Sequence, residues 1–427
     1  MRLGGRLQAA IEILDEIRIR NRPASASLRD WGLSHRFAGA GDRSAIGNLV
    51  YDSLRKAASQ AWRMNDDSAA ALVFATLMVQ WNMSEAAIRE SLQDDRYAPP
   101  LPDSAGFAAF AARDLSEAPD HIRADVPQWC TEEFHRAFGA EWIAEAAALS
   151  ARPPLDLRVN ALKSTREKVM RQLSRFHPEP GSHAPNAIRI NAGTGDGRLP
   201  NVQAEAGYQK GWFEIQDEGS QLAALLTGAT AGEQVLDYCA GAGGKTLAMS
   251  AMMENRGQIH AHDADRTRLA PIHDRLKRAG ARNVQVHTAG GDLTEMNTRM
   301  NCVLVDAPCS GSGTWRRRPD AKWRLDPANL ETRQHEQDQV LDEASRFVKP
   351  DGRLVYVTCS MFASENAERA RAFLSRHPDF SPVSLEEPMS GLCDSAQFAL
   401  VDRTSVAMSP ARTGTDGFFV AAFVRTG

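Results

Sequence analysis

The chain has 427 residues, 43% of them hydrophobic and 24% charged, with a formal net charge of −4. At roughly 100–200 residues per domain this length holds two to four domains, and the apolar content is enough for packed cores, which excludes a disordered chain. The slightly acidic balance excludes a uniformly basic nucleic-acid binder but leaves room for a local basic patch.

In MRLGGRLQAAIEILDEIRIR, Leu7, Ile11, Leu14 and Ile17 recur at helical spacing among Glu12, Asp15 and Glu16. That is an amphipathic helix, not a signal peptide. No run of about 18 apolar residues occurs, so no membrane span is expected. The reading stays helical to about residue 140. AAALVFATLMVQW (69–81) has the character of a buried helix, and Trp31, Phe37, Trp62, Phe74 and Trp81 are expected in a helical core. Pro99, Pro100 and Pro102 interrupt the pattern, and Pro153-Pro154 ends a helix. LDLRVN (155–160) then alternates like a strand, Ser164 or Thr165 caps a helix through STREKVMRQL, and AIRIN (187–191) forms another strand.

From about 211 the pattern becomes strand, then helix, repeatedly. WFEIQ leads into a helix at EGSQLAALLTG. Strands follow at QVLDYC (234–239), GQIHAHD (257–263), VQVHTA (284–289), CVLVDAP (302–308) and, after a KPDG turn, RLVYVTC (353–359). Helices fall at KTLAMSAMM, at RLAPIHDRLKRAG and near 327–348, and ALVDRTSVAM with GFFVAAFV forms a terminal antiparallel hairpin. This alternation predicts a mostly parallel, doubly wound α/β sheet.

Six cysteines, at 130, 239, 302, 309, 359 and 393, include no Cys-x-x-Cys pair. No metal site and a reduced, cytoplasmic setting are therefore expected. In DYCAGAGGKT a strand runs into a Gly-rich turn and a helix. It is not a Walker A loop, because Cys239 stands where that motif opens on Gly, nor Gly-x-Gly-x-x-Gly, because Thr246 stands at the third Gly. Gly241, Gly243 and Gly244 suit close approach of a ligand to the backbone. Asp263, eighteen residues beyond Lys245, ends the second strand and suits ribose hydroxyls, and Asp292 follows the third strand, within reach of a base edge. These residues imply a nucleoside cofactor and leave NAD and S-adenosylmethionine equally open.

Two cysteines then decide the chemistry. Cys309 and Cys359 end neighbouring strands, and adjacent strands lie about 4.8 Å apart, so both thiols are expected in one crevice. Carbon 5 of cytosine is too weak a nucleophile to accept a methyl group until a thiolate has added to carbon 6. Asp306 is the candidate to stabilise that adduct near ring nitrogen 3, and Cys309 the candidate to assist release.

DYCAGAGGKT, DAPCSGSGTWRRRPDAKW and LVYVTCS resemble the signature motifs of the Sun/RsmB family of RNA cytosine-5 methyltransferases. WFEIQDEGSQL, SPARTGTDGFFVAAF and LRVNALKSTRE resemble its flanking segments, and RDWGLSHRFAGAGDRSAIGNLVYDSLRK resembles the NusB-like helical domain ahead of it in bacterial members. The resemblance implies a Rossmann-like S-adenosylmethionine methyltransferase sheet, a small α+β module, and an N-terminal all-α NusB-like domain, at 211–427, 141–210 and 1–140. It implies Cys359 as nucleophile, Cys309 for product release and Asp306 at the cytosine. The cofactor set comprises Cys239, Ala240, Gly241, Gly243, Gly244, Lys245, Asp263, Arg268, Asp292 and Asp306. One departure stands out: Gly241-Ala242 replaces the family's Ala-Pro, which loosens the loop.

Arg316, Arg317, Arg318, Lys322 and Arg324 gather just after Cys309 against a single carboxylate, Asp320, with Trp315 and Trp323 between them. Phosphate contact with base stacking is expected there, with Arg158, Asn160 and Lys163 as further RNA contacts. The target base must leave its stack to reach a thiol. Ribosomal RNA is the expected partner of a monomeric enzyme. The alternatives are a transfer-RNA substrate, a DNA substrate, a non-catalytic RNA-binding factor and an NAD-dependent oxidoreductase. Cys359 in Thr-Cys-Ser speaks against DNA enzymes, which use the Pro-Cys thiol.

Overall fold

The computed structural model describes residues 1–102, 104–390, 392 and 399–426. Cys393 lies outside the described residues. Contacts divide the chain into two compact units. One comprises Met1–Pro153, Ala192–Leu199 and Thr314–Leu325; the other comprises Pro154–Asn191, Pro200–Gly313 and Asp326–Gly427.

The first unit is helical. Its main helices run Leu3–Arg20, Ala24–Ser34, Ala40–Arg55, Ala57–Met64, Ala69–Val79 and Glu85–Leu92, with shorter ones to Ala148. Leu7, Ile13, Leu14, Leu49, Val73, Phe74 and Leu77 form its core. Trp31 and Trp81 pack against that core as expected, whereas Phe37 does not. It sits in the turn between two helices, is 72% exposed, and its ring meets the edge of His35. Asp52 is fully buried here and accepts hydrogen bonds from Arg55 and Arg152, so the charges are paired where solvent cannot reach them.

The second unit contains two sheets. Strands β1 (Leu155–Val159), β2 (Glu179–Pro180), β3 (Ala187–Ile190) and β4 (Phe213–Ile215) make an antiparallel sheet of order β2-β3-β1-β4. The WFEIQ strand thus closes the small sheet by pairing with β1 and does not open the large one. Thr165 caps the helix Arg166–Gln172.

The large sheet holds β5 (Gln234–Asp237), β6 (Gln258–Ala261), β7 (Val284–Val286), β8 (Met300–Asp306), β9 (Val348–Thr358), β10 (Phe380–Pro382), β11 (Ala399–Asp402), β12 (Ser405–Met408) and β13 (Phe418–Arg425). Its order is β11-β12-β13-β9-β8-β5-β6-β7, with β10 on β13. The run from β9 to β7 is parallel, and β13 is antiparallel to β9. The expected doubly wound α/β sheet is present. Alternate residues of each strand enter two cores: Val235, Leu304 and Val355 pack on one face, and Leu236, Val303 and Leu354 on the other.

Two further elements differ from the sequence reading. The KPDG segment stays inside β9 as an irregularity, with Asp351 at φ 59°; Met300 pairs with Val348 while Cys302 pairs with Arg353. The helix expected through RLAPIHDRLKRAG is two helices, Arg266–Leu269 and Ile272–Ala279, divided at Pro271. Among the described residues no helix is long and apolar enough to cross a membrane.

Candidate active site

The strand order reverses between β5 and β8, so the carboxyl ends of these neighbours open a crevice at the topological switch point. Every feature of the candidate site lies at or beside these strand ends. From β5 the chain enters the turn at Cys239, Ala240 and Gly241, then the helix Gly244–Met252. Asp263 is buried after β6, where one carboxylate oxygen accepts from the Gly241 amide at 2.8 Å and the other from the Asp265 amide at 2.9 Å. Arg268 is exposed, with its guanidinium 3.9 Å from Asp263. Lys245 is buried and donates to Asp306 Oδ2 at 2.6 Å, an ion pair that joins the helix start to the tip of β8.

Gly241 takes φ 50°, and a Cβ there would meet nothing closer than 3.6 Å. Gly243 takes φ 80°, and a Cβ there would fall 2.5 Å from Ile272. The second glycine is therefore needed to pack the turn against a helix, not to admit a ligand. Asp292 is exposed, and its side chain accepts from the Thr294 amide at 2.9 Å.

Sequence reasoning missed Asp237, the last residue of β5. Its Oδ2 accepts from the Thr246 hydroxyl at 2.6 Å, and its buried Oδ1 has no partner among the described residues. Burial, with Asp306 and Asp263 nearby, pushes its carboxyl up to about 7. A buried carboxyl oxygen left without a partner at the switch point suits a cationic group, and the residues present therefore fit S-adenosylmethionine. The acidic end of VLDYC was visible in the sequence. Cys239 lies among the same carboxylates; burial first, then Asp263, Asp306 and Asp237, push its thiol well above the usual value.

Cys309 follows β8 and Cys359 ends β9. Their sulfurs lie 3.4 Å apart. The Cys309 thiol is pushed well above its usual value by its bond to Cys359, by burial and by the nearby Glu365 carboxylate. Either thiol can donate to the other across this contact. Glu365 is a second residue the sequence reading missed, because no spacing rule marks it. It is fully buried and accepts from the Ser310 amide and from the hydroxyls of Ser310 and Ser360. Burial raises its own carboxyl.

The expected RNA contacts are distributed differently from the reading. Arg158 is buried, donates to the Gly244 carbonyl at 3.1 Å, and is lowered to about 10 by burial. Asn160 donates to the carbonyls of Gly211 and Ala279, and Lys163 to that of Arg278 at 2.6 Å. These three side chains tie the small sheet to neighbouring backbone within their own unit. Arg316, Lys322 and Trp315 are buried in the helical unit. Lys322 donates to the Arg55 carbonyl at 2.9 Å, the Trp315 ring lies 6.0 Å from Phe134, and the Trp323 indole donates to the Leu54 carbonyl. Arg324 pairs with Asp320 at 2.9 Å, Arg317 is half-buried, and Arg318 is exposed. The run expected to contact phosphate is mostly turned into the helical unit, and Trp315, expected to stack on a base, is fully buried.

A parallel sheet with this strand order, continued by antiparallel β13 and with a Gly-rich turn at its switch point, defines a Rossmann-like S-adenosylmethionine-dependent methyltransferase. Residues 224–424 match the family model described as 16S rRNA methyltransferase RsmB/F, and residues 126–195 match its ferredoxin-like domain. The chain belongs to the RsmB/F methyltransferase family.

The chain is 32% identical over 303 residues to a protein of Synechocystis sp. named probable ribosomal RNA small subunit methyltransferase B, covering 69% of this chain and 66% of that relative. It is equally identical over 309 residues to a protein of the same name from Bacillus subtilis, covering 70% and 66%. The chain thus spans 66% of the length of these curated relatives. The crystal structure of PH0851 shares the fold, with a TM-score of 0.75 at 24% identity, covering 99% of each chain. The structure of NSun6 from Pyrococcus horikoshii with SFG also shares it, with a TM-score of 0.61 at 19% identity, covering 70% of this chain and 98% of that one.

Proposed function

We propose that this chain methylates carbon 5 of a cytosine in 16S ribosomal RNA through a covalent adduct at Cys359. The observation that carries the proposal is the 3.4 Å approach of the Cys309 and Cys359 sulfurs at the ends of adjacent parallel strands. The names of the family and of its curated relatives support ribosomal RNA as the substrate. The protein is read as working alone in the cytoplasm.

With Cys359 as the thiolate, the S–H of Cys309, 3.4 Å away, is placed to donate to it. As thiolate it adds to carbon 6 of a base flipped out of its stack, and the displaced electron pair makes carbon 5 nucleophilic. Asp306, held by Lys245, is the carboxyl group assigned to stabilise the adduct near ring nitrogen 3. Bound S-adenosylmethionine supplies the methyl group. The carbon 5 proton then leaves to a base, the carbon–sulfur bond breaks, and Cys359 departs as thiolate. Cys309 is the proton donor within reach of that departing sulfur. For the cofactor we assign the 239–245 turn, Asp263 and Arg268, with Asp237 added and Asp292 at the rim. For RNA we assign Arg318 first, then Arg317 and Arg324.

The test is methyl transfer from labelled S-adenosylmethionine to unmodified 16S RNA, with bisulfite mapping of the product. Cys359→Ala should abolish transfer while cofactor affinity stays within about twofold. Normal turnover by that variant would end the nucleophile assignment.

A further inference from the structure

Building on the thiol chemistry proposed above, we propose that Glu365 is a positioning residue that sets the separation of the two sulfurs and so the reactivity of Cys359. The residue after each cysteine is a serine, and both serines are bound to this one carboxylate. Ser310 donates to it through its amide at 2.7 Å and its hydroxyl at 2.5 Å, and Ser360 through its hydroxyl at 2.5 Å. Gln337 donates to the same carboxylate at 3.0 Å and to the Pro308 carbonyl, one residue before Cys309, also at 3.0 Å. Smaller ties run alongside: the Ser312 and Ser360 hydroxyls lie 3.0 Å apart, and the Gly313 amide donates to the Cys359 carbonyl at 2.9 Å. These hydrogen bonds to the Glu365 carboxylate come from loops that carry a thiol, or from the helix residue that braces one.

An ionised carboxylate is acceptor-only, with room for four donors, and here four arrive. An amide of the same shape would turn N–H groups toward hydroxyls and an N–H. The clamp therefore needs the carboxylate itself and not merely its volume. Its charge also acts on Cys309, one of whose upward influences is Glu365. Without it Cys309 ionises more easily. A thiolate at Cys359 would then face a like charge 3.4 Å away, without the S–H that could stabilise it. No bond to substrate forms at Glu365, which is enclosed by protein; its effect passes through the two loops.

The test uses the full chain carrying Glu365→Gln, and separately Ser310→Ala. The rate of iodoacetamide alkylation at Cys359 is followed against pH by peptide mass spectrometry. Turnover on RNA and affinity for S-adenosylhomocysteine are measured alongside. For Glu365→Gln the alkylation midpoint should rise by about half a pH unit or more. Its kcat should fall about ten- to hundredfold, with KM and product affinity changed by less than about threefold. Ser310→Ala, which keeps its backbone donor, should move both quantities less and in the same direction. An unmoved midpoint, or a kcat within about twofold of the parent, overturns the proposal. Should Glu365→Gln not fold, the midpoint of Ser310→Ala decides alone. Failure of the underlying chemistry is separable: turnover by Cys359→Ser sinks the thiol reading whatever the Glu365 variants do. A dead Cys359→Ser beside a normal Glu365→Gln sinks only the clamp.

Discussion

Lys245 reaches across the strand reversal to place its ammonium 2.6 Å from Asp306 Oδ2, with 7% of the lysine side chain and 33% of the aspartate exposed. The two partners are thus unequally wet. Asp306→Asn strands a buried cation and should lower the unfolding free energy by about 1–3 kcal/mol. Lys245→Met leaves a carboxylate that water can still solvate, and should cost less. Urea denaturation of the two variants gives the ranking directly, and the reverse order would mean that the lysine is not the desolvated member.

Asp237 gives a signed pH dependence. Burial raises its folded value to about 7, whereas an unfolded Asp titrates near 3.9. The fold therefore holds a proton that the unfolded chain releases. This contribution is full below about pH 4 and is lost as pH rises through about 7, a change on the order of a few kcal/mol. Asp237→Asn should remove that slope, so parent and variant diverge in stability between about pH 5 and 8. A cationic cofactor favours the ionised form, so parental affinity for S-adenosylmethionine should tighten from about pH 6 to 8. Calorimetric affinities that stay flat over that range would remove Asp237 from the cofactor site.

The two glycines of the cofactor turn separate strain from obstruction. Gly241→Ala meets only the positive φ, which costs about 1–2 kcal/mol. Gly243→Ala meets a positive φ and Ile272 at 2.5 Å. It should lose more stability and weaken cofactor binding more, read as melting temperature and calorimetric affinity. Equal losses would show that the Ile272 contact relaxes freely.

Cys309→Ala should leave addition and methyl transfer possible but slow the expulsion of Cys359. A protein–RNA adduct should then survive a denaturing gel, dependent on S-adenosylmethionine. Absence of that band, with turnover intact, would assign release to another group.

Arg318 is the exposed member of its basic run. Arg318→Ala should weaken RNA binding uniformly across sequences and reduce the slope of log affinity against log salt by about one contact. Lys322→Gln should act through stability instead, because that amine is lowered to about 8 by burial and is bonded to the Arg55 carbonyl. If filter binding shows equal slopes for parent and Arg318→Ala, phosphate is held elsewhere.

The parallel strands were legible because each is a short apolar run that ends in a turn, a signal fixed within a few residues. Cys309 and Cys359 were legible as neighbours because both follow strands of one sheet. What escaped depended on distant partners. β4 reads like any sheet strand, and only pairing with β1 assigns it to the small sheet. Lys322 reads as surface charge until the Arg55 carbonyl, 267 residues earlier in the chain, is brought to it. Glu365 has no motif of its own, since its meaning comes from four donors in three separate segments.

Residues 192–199 and 314–325 count with the helical unit although they lie far along the chain from its other residues. No single cut can therefore separate the protein into two self-sufficient pieces. A fragment starting at 154 would carry Trp315 stripped of Phe134, a sticky indole facing water. An exchange of the amino-terminal module would need residues 192–199 and 314–325 to travel with it.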